Sequence, residues 1–154
     1  MAKFPTEVEK SITVQVPIAE VYKYLWDVVG SSDCVPGLDQ CKRVAKNTFR
    51  FTLQERSTGP VSMRVRYTAK YEGNGKDTIT YESVDADGDN TEVAGEIRLQ
   101  PSGKGATKIL LRQKAAPDSP VPRLLQGLIR SFVDKEAAET VRQYLANVKQ
   151  TLET

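Results

Sequence analysis

Between Phe49 and Gln113 apolar and polar residues alternate one by one in short runs. On either side, Pro17–Gly30 and Val121–Leu152 repeat apolar residues every third or fourth position. Period two marks a half-buried strand and period 3.6 an amphipathic helix. Ile12, Val14 and Val16 predict a strand over Ser11–Val16, ended by Pro17. Val21, Tyr22, Leu25, Trp26 and Val29 then predict a helix that Pro17 opens and Gly30 stops. Ser31–Gly37 reads as a turn or short helical piece closed by Pro36-Gly37.

Phe49, Phe51 and Leu53 share one face of the next strand. After the Gly59-Pro60 break, Val61, Met63, Val65, Tyr67, Ala69 and Tyr71 read as one long strand. Its opposite face carries Arg64, Arg66 and Lys70, expected to be solvated and cross-paired with acidic neighbours. Ile79 and Tyr81 mark another strand, and Asp85–Asn90 a hairpin turn. Val93, Gly95, Ile97 and Leu99 mark a further one. In the last, Lys108–Gln113, the run Ile109-Leu110-Leu111 leaves the facing open. Asp118 or Ser119 is expected to cap the final helix, with Pro120 or Pro122 in its first turn. Its stripe runs from Val121 and Leu124 through Leu128, Phe132, Val141 and Tyr144 to Leu152. At about thirty residues it far exceeds the usual ~11–12.

These elements predict one α+β domain over 1–154: a curved antiparallel sheet of six to seven strands, with a long C-terminal helix across it and two short helices after the first strand. A straight rod about 45 Å long cannot follow a strongly bent sheet along its whole length. Ala69, Ser83, Gly95 and Gly127 are too small to fill the gap, and Phe49, Phe51, Met63, Tyr67, Tyr71 and Tyr81 supply aromatic and apolar walls. The same alternation also suits a dry, packed core, so the periodicity alone leaves cavity and core open. The candidate lining set is Trp26, Pro36, Phe49, Phe51, Met63, Val65, Tyr67, Tyr71, Tyr81, Gly95, Ile97, Leu125, Leu128 and Phe132. Tyr67, Tyr71 and Tyr81 are its polar handles.

Composition narrows the chemistry. The chain contains no histidine, which excludes His-based triads and imidazole metal ligands. A net charge of +2, with Lys and Arg interleaved with Asp and Glu, argues against nucleic acid. Cys34 and Cys41, seven apart, fit no zinc motif and read as free thiols. The Asp85-Asp87-Asp89 alternation lies between strands, not helices, and reads as a turn rather than a calcium loop. No cofactor, metal or catalytic residue is expected. Met1–Lys10 has no apolar leader core, and no apolar run reaches the ~18 residues of a membrane span, so a cytoplasmic protein without an integral membrane segment is expected.

The segment Cys34-Val35-Pro36-Gly37-Leu38-Asp39-Gln40-Cys41 resembles the Cys-hydrophobic-Pro-Gly motif of the family formed by the G subunits of carbon monoxide dehydrogenase. Gly59-Pro60-Val61 and Pro122–Ile129 match that family in order and spacing, and the resemblance runs from Val8 to Leu152. The family belongs to the START-like (SRPBCC) group, with polyketide cyclases and Bet v 1-like pollen allergens. The resemblance implies a helix-grip fold with an internal hydrophobic cavity. It implies a carrier or accessory protein for a lipid, isoprenoid, quinone or polyketide-like molecule. Two other functions compete: a polyketide cyclase/dehydratase enzyme, and an assembly partner of a molybdenum redox enzyme. A homodimer stays open.

Overall fold

The computed structural model describes residues 2–154. One antiparallel sheet dominates it. Its strands run β3 (Leu38–Ala45), β4 (Thr48–Leu53), β7 (Arg66–Gly73), β8 (Thr78–Ser83), β9 (Thr91–Pro101), β10 (Thr107–Ser119) and β2 (Thr6–Val14). The two-residue β1 (Ala2–Lys3) pairs with the far end of β10. A detached hairpin, β5 (Arg56–Thr58) and β6 (Val61–Met63), stands apart. Helices α1 (Ile18–Trp26) and α2 (Val28–Ser31) follow β2, and α3 (Gln126–Glu153) closes the chain. At 28 residues, α3 is about 42 Å long. The core lies between α3, α1 and the concave face of the sheet, around Val14, Val21, Ala69, Ile97, Leu111, Val141 and Val148. A satellite cluster of Phe4, Val61, Ile129 and Val133 joins the hairpin to the start of α3.

Several boundaries differ from the sequence reading. β2 begins at Thr6 because it pairs with β10 from Ala115 to Thr107; Lys10 on its inner face hides the alternation. The first helix breaks at Asp27, not Gly30. Asp27 leaves helical geometry at ψ 81, and its carboxylate accepts from the Gly30 N–H to cap α2. The turn of direction leaves Val29 44% exposed. β3 has no clean alternation because it is an edge strand, and its polar residues suit that place.

The long strand expected over Val61–Tyr71 is two strands. Gly59, at φ 57, allows a tight β5–β6 turn, and Val61 and Met63 join the satellite cluster; β7 starts only at Arg66. Asp118 and Ser119 do not cap α3. They are the last residues of β10, held by Lys3 and Ala2. A 3-10 turn at Arg123–Leu125 leads into α3 with no side-chain cap.

Of the basic face, Arg64 and Lys70 are exposed as expected, while Arg66 and Thr68 are covered. Arg64 pairs with Asp39 at 2.9 Å. The 85–90 loop folds over Arg66 and Thr68: the Thr68 hydroxyl donates to Asp89 Oδ2, and the Arg66 N–H donates to Asn90 Oδ1. Asp89 Oδ1 lies 3.2 Å from Arg50 Nη2, a charge contact without hydrogen-bond alignment. Asp89→Ala therefore leaves the buried Thr68 hydroxyl without its acceptor and Arg50 without its counter-charge. Chemical denaturation should show a loss of about 2–3 kcal/mol.

Candidate functional site

Four strands carry one rung across the concave face: Tyr71 on β7 opposite Tyr81 on β8, then Gly95 on β9, then Gln113 on β10. Gly95 has no side chain, so the Tyr81 ring lies flat across β9; a Cβ there would sit 2.1 Å from that ring. The ring thereby reaches Gln113, and the Tyr81 hydroxyl donates to its Oε1. Tyr71 stacks on Tyr81 at 5.1 Å between centroids, and Phe51 stacks on Tyr67 at 4.9 Å. Gly95→Ala should displace Tyr81 and cost about 1–3 kcal/mol, since overpacking forces ring and backbone to shift. Thermal melting should show a Tm lowered by several degrees.

Facing this rung, α3 presents Phe132, Val133, Ala137, Thr140, Val141 and Tyr144. Helix and sheet do not meet here. A cavity of about 200 Å³ lies between them, larger than the ~150 Å³ apolar void known to hold a benzene molecule. Leu25, Val28, Val93, Ile97 and Leu111 supply apolar walls. Val35, Pro36 and Gly37 form one rim. That corner is pinned to α3, because Asn147 Nδ2 donates to the Cys34 carbonyl at 2.9 Å. Cys34 itself is buried, its Sγ 3.1 Å from the Tyr24 hydroxyl. Burial, and next the Cys34 contact, push Tyr24 up to about 12. Cys34 and Cys41 are both free.

Arg56 and Glu136 mark the opening. Both line the cavity, both reach solvent, and Arg56 Nη1 lies 3.6 Å from Glu136 Oε2. An exposed pair of this kind is worth under about 1 kcal/mol, so it opens easily. Gly37 makes room for the arginine: its φ is +73, and a Cβ there would lie 2.9 Å from Arg56 Nη2.

The polar content of the interior is phenolic. Tyr67, Tyr71, Tyr81 and Tyr144 all line the cavity. Burial raises all four above the ordinary tyrosine value. For Tyr71 the neighbouring phenols of Tyr67, Tyr81 and Tyr144 add to the effect. They stay protonated at neutral pH and act as neutral hydrogen-bond donors. Tyr81 spends its hydrogen on Gln113; among the described residues the hydroxyls of Tyr67, Tyr71 and Tyr144 donate to no protein atom. Among the described residues no cluster of His, Cys, Asp and Glu could hold a metal ion.

Of the residues expected from the sequence, Pro36, Phe51, Met63, Val65, Tyr67, Tyr71, Tyr81, Ile97 and Phe132 line this cavity. The other five do not. Gly95 lies beneath the Tyr81 ring. Trp26 and Phe49 line a separate depression with Arg43 and Asn47. There Trp26 stacks with Tyr22 and Phe49 meets the edge of Tyr71. Leu125 packs into the satellite cluster, and Leu128 is 50% exposed because the sheet has ended by that turn. Sequence reasoning misses Tyr144, Thr140, Gln113 and Glu136 as lining residues. Gln113 was detectable: it follows Ile109 and Leu111 at period two, a polar residue at an inward position.

A curved antiparallel sheet gripping a long terminal helix, with a partly open apolar cavity between them, defines the helix-grip class of START and Bet v 1-like domains. The chain belongs to the polyketide cyclase / dehydrase and lipid transport family, whose model matches residues 5–153. No curated protein matches the chain by sequence. Among solved structures it is similar to the Zhui aromatase/cyclase of Streptomyces sp. R1128, at 16% identity and TM-score 0.73, over 97% of this chain and 94% of that one. A START superfamily protein of Mycobacterium smegmatis matches at 14% identity and TM-score 0.70, over 96% and 97%. The lipid transfer and protein localization domain of human StarD13 matches at 12% identity and TM-score 0.65, over 95% and 76%. At these identities the likeness concerns the fold.

Proposed function

We propose that this chain binds one small, uncharged lipophilic molecule in the cavity and carries it without chemical change. The hydroxyls of Tyr67, Tyr71 and Tyr144 support this reading most. They line an apolar, partly open space where, among the described residues, no protein acceptor meets them, so a guest can take the hydrogen bonds that water would otherwise take. A guest with carbonyl, ether or hydroxyl oxygens on an apolar frame supplies those acceptors. Isoprenoid quinones, polyketide-like molecules and neutral lipids share that chemistry. A carboxylate is disfavoured, since among the described residues the only cation lining the cavity is Arg56 at the opening, already beside Glu136.

A cyclase or dehydratase is the second reading. It draws on the same phenols, which could polarise a carbonyl. It lacks a base, because every ionisable group deep in the cavity is a tyrosine whose pKa burial has raised. Assembly of a molybdenum redox enzyme rests only on the family resemblance carried by Cys34–Cys41, Gly59–Val61 and Pro122–Ile129. The two free thiols fit a reducing compartment such as the cytoplasm.

Titration with the uncharged dye Nile red tests the main reading. Saturable binding of one dye per chain, weakened by Tyr67→Phe together with Tyr144→Phe, is expected. Fluorescence that rises linearly without saturation would contradict it.

A further inference from the structure

The start of the long helix exposes apolar surface that the fold does not use. Leu124 is 96% exposed and Leu128 is 50% exposed. Four residues on, Phe132 is half-buried and lines the cavity. Leu128 and Phe132, four apart on α3, are neighbours, and Leu124 stands in the 3-10 turn just ahead of them, so apolar surface runs from this exposed turn toward the cavity. The satellite cluster beneath them, with Ile129, Val133, Val61 and Phe4, fixes this surface in place.

Two arginines unpaired among the described residues stand on this tip, with Glu55, Asp118, Asp134 and Glu136 at its margin. From Ser119 to Val133 the chain contains Arg123 and Arg130 and no acidic residue. The adjoining hairpin, Arg56–Met63, adds Arg56 and again no acid. Arg123 and Arg130 are exposed and form no ion pair among the described residues; Arg130 lies 5.9 Å from the centre of the Phe4 ring. Of the three arginines, only Arg56 has a carboxylate beside it.

We propose that this tip docks the protein on the surface of an anionic lipid bilayer. Leu124 and Leu128 enter the interface, and Arg123 and Arg130 meet lipid phosphates. This rests on the cavity reading above, because the docked end is the end that holds the mouth residues Phe132, Met63 and Arg56. Size argues against a protein partner. Two leucines fall far short of the ~800 Å² per side that stable protein interfaces bury. Protruding leucines flanked by cations suit an interface between water and acyl chains. Each arginine near an anionic surface contributes about fivefold in affinity. The resulting attachment is weak and reversible, as collecting and releasing a membrane-resident guest requires.

Sedimentation of the full chain with vesicles tests this. Vesicles of phosphatidylcholine containing phosphatidylglycerol should carry the protein down, with binding that falls as salt rises; pure phosphatidylcholine vesicles should carry down much less. Leu124→Glu with Leu128→Glu should weaken the anionic-vesicle binding about tenfold or more, and Arg123→Glu about fivefold or more. Both variants should keep the Nile red affinity of the parent in vesicle-free solution. No sedimentation with anionic vesicles, or a leucine variant that sediments like the parent, overturns the docking surface. So does a leucine variant that dissociates a dimer seen by gel filtration, which would make the tip a self-association site. Vesicle binding without any dye binding would retain the docking surface and remove the cavity reading.

Discussion

Ala137→Phe should strongly weaken Nile red binding while leaving the fold and its stability nearly unchanged. Ala137 stands on the cavity side of α3, between the levels of Val133 and Val141. A phenyl group placed there enters open space of about 200 Å³ rather than packed atoms. In a filled core the same enlargement costs about 1–3 kcal/mol, because neighbours must leave their rotamers. In a void the added ring makes contacts at little cost. The expected result is a dye affinity lowered at least about tenfold with a Tm within a few degrees of the parent. A Tm many degrees lower, or unchanged dye binding, would mean that the space is filled or that the dye binds elsewhere.

Alkaline pH should unfold the protein abruptly. Tyr67, Tyr71, Tyr81 and Tyr144 are held protonated by burial, above the ordinary value of 10.0. Their raised folded pKa fixes the sign. Below pH 10 both states keep all four protons, so stability is unaffected. Above it the unfolded chain releases protons that the folded one retains, so stability falls as pH rises. Each group then removes about 1.4 kcal/mol per pH unit, and four together about 5. A domain of ordinary stability, about 5–15 kcal/mol, is exhausted one to three pH units above 10. Tyrosinate absorbance and far-ultraviolet circular dichroism, followed together, should change in one coincident step for these four. Their smooth ionisation near pH 10 with an intact fold would contradict the buried phenol cluster.

The sheet and the terminal helix were legible because their signals are local. Period two in Phe49–Leu53 and in Val93–Leu99 survives in the structure, as does the spacing of Val133, Val141, Tyr144 and Val148 on α3. What failed were endings and facings, which neighbours decide. The stripe of the last helix continues smoothly through Leu124 and Leu128, but the sheet no longer lies beneath them, so they face solvent. The alternation from Val61 to Tyr71 has no break at Arg64; the β5–β6 hairpin leaves the sheet there because Val61 and Met63 find Phe4 and Ile129 instead.

The candidate site was legible in kind more than in membership. Tyr67, Tyr71 and Tyr81 face inward as their odd positions on alternating strands require. Trp26 and Phe49 look equally suitable in sequence, yet they stand with Tyr71 in another depression, a placement that only the path of α1 determines. Gly95 reads in the sequence as a residue that leaves room; the room is taken by the Tyr81 ring. Tyr144 belongs openly to the helical stripe. Its role depends on which face of α3 meets open space, and no single-chain periodicity carries that information.

Native mass spectrometry of gently purified protein is the most direct measurement. The prediction is a species heavier than the bare chain by one uncharged organic molecule, released by mild activation and absent from Ala137→Phe. If the parent gives only the bare mass, and uncharged hydrophobic compounds added to it leave that mass unchanged, the space between α3 and the sheet is not a binding site.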